Sequence, residues 1–264
     1  MTSLFRMEPL VPEDRKQVLE ELATELVDRT GRLAGRVHPV LQDGLGDLVR
    51  TMNCYYSNLI EGHDTHPVDI DRALSGDYAT DSTKRNLQLE ARAHIEVQRM
   101  IDCGEAPSPV VSVEFILWVH REFCSRLPDE LLWATNPDTG ARLPVVPGEL
   151  RRTQVMVGRH LAPEPDELPA FLDRFVAAYG GGMGRLRRII AVAAAHHRLL
   201  WVHPFLDGNG AWRDYSPMRC CANSMSAPAC GRSPAGWRVS RRPTKVPSRP
   251  RTRPVAAILT DGVI

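Results

Sequence analysis

The stretch HPFLDGNG, residues 203–210, decides how this chain is interpreted, and it directly follows an apolar segment over 185–202. Proline is poorly tolerated inside a helix, so Pro204 predicts that helical geometry ends near His203. Gly208 and Gly210 flank Asn209, and such a backbone can turn its N–H groups toward one point and bind an anion, most naturally phosphate. The stretch therefore predicts a loop that ends a buried helix and cradles phosphate.

The same loop carries two side chains with chemistry suited to a phosphate site. Asp207 can hold a magnesium ion that also touches phosphates, and His203 can take a proton from a hydroxyl near neutral pH. A base, a metal carboxylate and a phosphate cradle so close together indicate phosphoryl-type or nucleotidyl transfer. The residues alone leave one alternative open, a surface turn preceded by a packing histidine.

Apolar periodicity predicts that most of the chain is helical. The predicted helices cover about 13–30, 39–60, 67–75, 82–102, 112–126, 166–179 and 185–202. Asp81 or Ser82, and Ser112, are suited to cap two of them. We expect the apolar stripe of the first helix, which includes Val18, Leu22 and Leu26, to pack into the core. We expect the last helix, apolar nearly all round, to be central and buried.

One β-hairpin interrupts the helices. A turn at 136–140 and the prolines and glycine at 144–148 exclude a helix there. Residues 142–146 and 153–157 read as two short strands that pair with each other. The predicted fold class is therefore mostly α with a β-hairpin.

The loop sequence resembles that of the Fic family, because HPFLDGNG matches the first eight residues of the signature HxFx(D/E)GNGRxxR. The resemblance implies a Fic-type helical bundle with a β-hairpin flap. It implies that His203 is the catalytic base, that Phe205 anchors the loop, and that Asp207 binds Mg²⁺. Gly208, Asn209 and Gly210 would cradle the phosphates of the substrate ATP.

The family reaction that this resemblance implies is transfer of AMP from ATP to a Ser, Thr or Tyr hydroxyl of a target protein. The glycine after Asn209 favours this reaction over the kinase-like branch of the family, which usually carries lysine there. Two alternatives stay open: a non-catalytic nucleotide-binding or regulatory Fic-like protein, and transfer of another phosphate-linked group.

A second segment resembles the family's flap, which aligns the target backbone beside the loop. It runs from Pro147 to Arg151 and continues through Val155. The resemblance gives Gly148, Glu149 and Val155 a role in binding the target.

A third segment, residues 57–62, fits the family's inhibitory helix motif, (S/T)xxxE(G/N). Ser57 and Glu61 lie one helical turn apart and share a face, and Gly62 is suited to end the helix. The resemblance implies autoinhibition, in which Glu61 pairs with the second arginine of the signature and prevents productive seating of the γ-phosphate.

These matches predict three regions. Residues 1–110 form an N-terminal helical region with the inhibitory motif at 57–62. Residues 111–210 form the Fic core, with the flap at about 140–160 and the catalytic loop at 203–210. Residues 211–264 are a basic tail that departs from the family, with 10 Lys/Arg against 2 Asp/Glu and 7 of the 21 prolines. Its composition predicts disorder and a Fic fold truncated after the loop.

The signature breaks inside the active-site motif. Arginines are expected at positions 211 and 214, but the sequence has Ala211 and Asp214. If one nucleotide was lost at the Gly210 codon, the original frame can read R-L-A-R-L-F-S-H-A-L-L from position 211, which completes the signature and continues as an apolar helix. We therefore interpret 211–264 as an out-of-frame translation, and we expect little or no AMP transfer by the chain as written.

The remaining expectations concern location and partners. A run long enough to span a membrane and the apolar core of a signal peptide are both missing from the sequence, so a cytoplasmic protein is expected. The expected partner is a target protein with an acceptor hydroxyl, and a homo-oligomer stays open. Nucleic-acid binding by the basic tail is disfavoured because aromatic residues are not interleaved with its charges.

Overall fold

The computed structural model describes residues 3–60, 62–63, 65–136 and 139–210. The helices are α1 (Lys16–Ala34), α2 (Pro39–Ile60), α3 (Pro67–Leu74), α4 (Ser82–Asp102), α5 (Val113–Cys124), α6 (Leu168–Tyr179) and α7 (Arg185–Val202). The strands are β1 (Trp133–Thr135), β2 (Arg142–Pro144), β3 (Met156–Val157) and β4 (His160–Leu161). Short 3₁₀ turns lie at Ser3–Met7, Asp129–Leu131 and Pro165–Glu167. The mostly α fold predicted from the sequence is confirmed.

Local capping chemistry sets several helix ends. The Asp81 carboxylate accepts a hydrogen bond from the Lys84 N–H at 2.9 Å, and α4 begins there. The Ser112 hydroxyl accepts one from the Phe115 N–H at 3.1 Å, and α5 begins there. Each cap satisfies a donor that the first turn leaves free, so both predicted caps are confirmed. Gly62 follows α2 with φ at +80°, a conformation that glycine adopts without strain.

The largest core cluster joins α4, α5, α6 and α7 and places the start of the candidate loop in its interior. Its large, fully buried members include Phe115 and Ile116 of α5, and Phe171 and Phe175 of α6. Phe205 from the loop packs into the same cluster. Burying one such ring stabilises the fold by roughly 2–3 kcal/mol, so the core fixes the loop at its Phe205 end.

Two expectations about helix burial change in the structure. The α1 stripe does not enter the core: Val18, Leu22 and Leu26 are 51%, 57% and 50% exposed. Helix α7 is buried along one stripe, through Ala191, Ala195, Leu199 and Val202, rather than all round. Periodicity identifies an apolar face but not the element that covers it, and α1 meets α7 across a groove of about 690 Å³.

The predicted strand pairing is wrong. Residues 142–146 and 153–157 do not pair; β1 pairs with β2, and β3 pairs with β4, both antiparallel. Each strand pairs with the strand nearest to it in sequence. The Asn136 N–H donates to the Ala141 carbonyl next to β1 and β2, and Gly158 and Arg159 separate β3 from β4. The segment between the two hairpins belongs to neither sheet, so its backbone can bond with other parts of the protein. Such bonds hold this segment against the candidate loop.

Some predictions fall outside the described residues. These are the conformation of Glu61 and everything that concerns 211–264, including the disordered tail and the truncated fold. Among the helices that the structure does describe, none combines the length and the apolar character that crossing a membrane requires.

Candidate active site

The candidate loop begins where α7 ends in a left-handed residue. The His203 N–H still donates to the Leu199 carbonyl at 2.9 Å, but His203 itself has φ +48° and ψ +64°. A non-glycine residue in this region is strained by about 1–2 kcal/mol. The helix therefore ends at His203, as Pro204 predicted.

Asn209 braces the loop from inside. Its Oδ1 accepts from the Phe205 N–H at 3.0 Å, and its Nδ2 donates to the Phe205 carbonyl at 2.9 Å. Its Nδ2 also lies 3.0 Å from Nε2 of His203. The Phe205 N–H can only donate, so the orientation of the Asn209 amide is fixed, and it is the amide nitrogen that faces the histidine. One buried side chain thus closes a ring over five residues of the loop.

This contact fixes the protonation of His203. Because the Asn209 Nδ2 group donates, Nε2 of His203 must carry a lone pair, and the ring proton sits on Nδ1. Burial lowers the pKa of His203 from its ordinary value, and the Arg151 charge lowers it further. The imidazole is therefore neutral at pH 7 and able to accept a proton.

Arg151 links the segment after Gly148 to the loop. Its backbone N–H donates to the Pro204 carbonyl at 3.0 Å, and its Nε donates to the His203 carbonyl at 2.8 Å. Its remaining donors bind the carbonyls of Thr153 and Pro163. The guanidinium is buried, and desolvation lowers its pKa. Four backbone carbonyls in three segments are therefore held by one residue.

The three predicted flap residues lie in this neighbourhood but differ in their surroundings. Gly148 has φ +78°, and a Cβ there would lie 3.0 Å from Cβ of Arg121, so only glycine fits. Glu149 is exposed and pairs with Arg152 at 3.2 Å. Val155 is half-buried, and its carbonyl accepts from the Ala162 N–H. The structure thus places Gly148 against α5 and Glu149 toward solvent.

A cavity of about 450 Å³ opens beside the loop. The loop contributes Asp207, Gly208 and Gly210 to its lining, and α2 contributes Ser57 from the opposite side. The predicted inhibitory segment therefore faces the predicted phosphate cradle across one cavity, although Glu61 lies outside the described residues. Gly62 is exposed.

Asp207 is the candidate for holding a cation. Its side chain is exposed, and Oδ1 accepts from the Gly208 N–H at 2.7 Å, which leaves Oδ2 available. Within the described parts of the chain, no group of three or more His, Cys, Asp or Glu side chains could hold a metal ion. A single carboxylate fits Mg²⁺, which usually takes one or two carboxylates plus substrate phosphates and waters.

Sequence reasoning missed two residues at this site. Arg151 is predicted only as part of the flap segment, and His120 carries no predicted role. His120 is 2% exposed, and its ring stacks on Phe205 with centroids 3.8 Å apart and planes 2° apart. Nothing in a single sequence separates such a histidine from a packing residue.

Comparison with known proteins shows similarity in both sequence and fold. Residues 110–212 match the Fic/DOC family, and this match spans α5, the flap segment and the loop. Within these residues the chain is therefore similar to the Fic/DOC family. Its fold is also similar to that of a Fic family protein from Desulfovibrio desulfuricans G20, with a TM-score of 0.58 and 17% identity over 78% of this chain and 57% of that one.

Relatives with sequence similarity cover a shorter stretch. The chain is 44% identical over 68 residues to the protein adenylyltransferase Fic of Culex quinquefasciatus, and 40% identical over 68 residues to that of Drosophila melanogaster. In both cases the match covers 25% of this chain and 14% of the relative. The chain thus spans about a seventh of the length of these relatives.

Proposed function

We propose that this fold is that of a protein AMP transferase, which moves AMP from ATP to a Ser, Thr or Tyr hydroxyl of a target protein. The observation that carries the proposal is the neutral His203, whose Nε2 lone pair lies 3.0 Å from Nδ2 of Asn209, in the same loop whose Asp207, Gly208 and Gly210 line a cavity. The names of the similar insect proteins support the same reaction.

The chemistry follows from the orientation of His203. The target hydroxyl donates its proton to Nε2 as its oxygen attacks the α-phosphorus of ATP. The new oxygen–phosphorus bond forms while the bond from the α-phosphorus to the bridging oxygen breaks, and pyrophosphate leaves. The products are the AMP ester, pyrophosphate and a proton on His203. Asn209 would release its hydrogen bond to Nε2 at this step and keep its bonds to Phe205.

The nucleotide would occupy the cavity with its phosphates at Gly208 and Gly210. Asp207 would hold Mg²⁺, which neutralises phosphate charge when it is bound. Arg151 supports this arrangement because its Nε donates to the His203 carbonyl and so holds the backbone at the start of the loop. The flap segment that follows Gly148 would align the backbone of the target.

Restraint by the α2 segment belongs to the same proposal. Ser57 lines the cavity, and Glu61 follows it by one helical turn in the sequence. A carboxylate there would repel the γ-phosphate and favour an arginine partner.

As written, the chain would do this chemistry poorly. Ala211 and Asp214 occupy the two positions that carry arginine in the family signature, and an aspartate repels phosphate. The reading-frame hypothesis explains both differences at once, since arginine is permitted at each position in the other frame.

A radiolabelled ATP assay tests the proposal. Four proteins would be compared: the chain as written and a frame-restored version, each with and without Glu61→Gly. Label on protein only in the frame-restored form, abolished there by His203→Ala, is the expected result. Resequencing the locus tests the frame hypothesis itself, and an intact frame through 211–264 in independent isolates contradicts it.

The substitutions at 211 and 214 favour a second candidate, a regulatory protein that binds nucleotide without turnover. Saturable ATP binding with no label on protein in any of the four forms would support it. The mass of the modified product distinguishes AMP from another phosphate-linked group.

A further inference from the structure

The His120 side chain of α5 forms hydrogen bonds with two segments that are distant from each other in sequence. The Gly148 N–H donates to its Nδ1 at 2.9 Å, and its Nε2 lies 3.1 Å from the Asp207 carbonyl oxygen. The partners lie 28 and 87 residues away in sequence, one in the flap segment and one in the catalytic loop. The imidazole therefore bridges flap and loop through opposite nitrogens.

These contacts determine which nitrogen carries the proton. The Gly148 N–H can only donate, so Nδ1 must accept, and the proton must lie on Nε2. Nε2–H then donates to the Asp207 carbonyl, with the Cys124 sulfur also within 3.3 Å. A side chain with an acceptor at one end and a donor at the other is required, and an apolar ring would leave both backbone groups unpaired.

The same ring contacts the loop at two further residues, Phe205 and Gly208. It stacks on Phe205, with the planes 2° from parallel. A Cβ on Gly208 would lie 3.2 Å from Cδ2 of His120, so the loop backbone passes closely over the ring edge. His120 thus touches the loop at positions 205, 207 and 208, on both sides of the Asp207 carboxylate.

We propose that His120 is a positioning residue that sets the flap at a fixed distance from the catalytic loop. Its coupling role stands on these contacts alone, and the consequence for transfer rests on the proposed function, in which the flap holds the target and the loop holds ATP. Arg151 ties the flap to the start of the loop, at His203 and Pro204. His120 ties the flap to the end of the loop that would face phosphate. Together, Arg151 and His120 set the distance between flap and loop at both ends of the loop.

Two substitutions separate the two bonds. The amide of His120→Asn can reach the position of Nδ1 and accept from Gly148, but it does not reach Asp207. The amide of His120→Gln can reach the position of Nε2 and donate to the Asp207 carbonyl, but it leaves Gly148 unpaired. Amide hydrogen exchange at Gly148 reports on the flap, exchange at Phe205 reports on the loop, and exchange at Ile95 in α4 serves as the global reference.

The expected result is a crossed pattern. Relative to Ile95, His120→Gln speeds exchange at Gly148 by about tenfold and spares Phe205, and His120→Asn does the reverse, since each loses one buried hydrogen bond. Equal acceleration of both amides by both variants would overturn the positioning role, because it would mean that His120 only fills space. A ¹⁵N spectrum of the unaltered protein provides a test without substitution: a proton on Nδ1 also overturns the proposal.

A separate experiment tests the proposed function. Titration of the unaltered chain and of its frame-restored form with Mg-ATP measures nucleotide binding. Absence of binding in both overturns the proposed function, whereas the exchange pattern alone decides the role of His120. In the frame-restored form, His120→Gln is expected to raise KM for the target more than KM for ATP.

Discussion

Nδ2 of Asn209 lies 3.0 Å from Nε2 of His203, and the same amide holds both backbone polar groups of Phe205. Asn209, which braces the loop, and His203, the proposed base, therefore form one hydrogen-bonded unit. The sequence predicts that the backbone of Asn209 helps to bind phosphate. Its side chain, in contrast, forms hydrogen bonds within the loop.

Asn209→Ala is expected to destabilise the protein by about 2 kcal/mol, because two buried backbone groups lose their partners. It should also raise the pKa of His203 toward its ordinary value, since a donor to the neutral form is removed. Urea denaturation and NMR titration of His203 measure the two effects. Asn136→Ala is the control, because that residue caps an exposed turn through its bond to Thr139. A similar loss of stability in both variants would contradict the brace.

Arg151→Met should cost about 3 kcal/mol, since several buried carbonyls would be left unpaired. Its neighbour gives a matched control: the Arg152 side chain is 87% exposed and forms a surface ion pair with Glu149, so Arg152→Met should change stability by less than about 0.5 kcal/mol. Thermal and urea unfolding of the two variants measure the difference. If the two variants proved equally stable, Arg151 could not be holding the flap to the loop.

Gly208→Ala tests the close approach of the loop to His120. Gly208 and Gly104 both have positive φ, +74° and +80°, but a Cβ on Gly104 meets nothing within 4 Å. Gly104→Ala should cost only the backbone strain, about 1 kcal/mol, and Gly208→Ala a further 1–2 kcal/mol or so from the contact with the ring. Unfolding curves give both values, and equal costs would show that the ring yields without loss.

Stability should fall on acidification between pH 6.5 and about 4. Burial lowers the pKa of His120 from 6.5 to about 4, so the unfolded chain binds a proton in this range that the folded protein does not. The stabilisation is therefore complete above pH 6.5 and is lost as the pH falls, by at most about 3 kcal/mol for this residue. Urea denaturation at pH 7.5, 5.5 and 4.5 measures the slope, and His120→Gln should flatten it. A slope unchanged by this substitution would assign the acid sensitivity to other groups.

Local chemistry explains which parts of the fold could be predicted. Asp81 and Ser112 cap helices through bonds within three residues, and Gly62 ends α2 through its own backbone freedom, so sequence alone suffices for them. The prediction of strand pairing was wrong because β1 was not recognised in the sequence. The partner of β2 is β1, across the nearest turn, and a three-residue strand at Trp133 gives too short an alternation to recognise.

The missed site residues depend on contacts between distant parts of the chain. His120 lies on the buried face of α5, where periodicity predicts only packing. Its partners are backbone groups of Gly148 and Asp207, which any residue could supply, so no pattern of side chains identifies them. The motif predicts where the chemistry lies, and the three-dimensional structure identifies the contacts that hold that loop in place.

The left-handed backbone at His203 has a consequence for how this site can decay. Asparagine and glycine tolerate φ +48° better than histidine does, so replacing His203 by either one relieves strain while it removes the proposed proton acceptor. Without selection for the proposed transfer, substitutions at this position are expected to give a protein that is more stable and lacks the proposed base. A library sorted for folding alone would be expected to lose the histidine first.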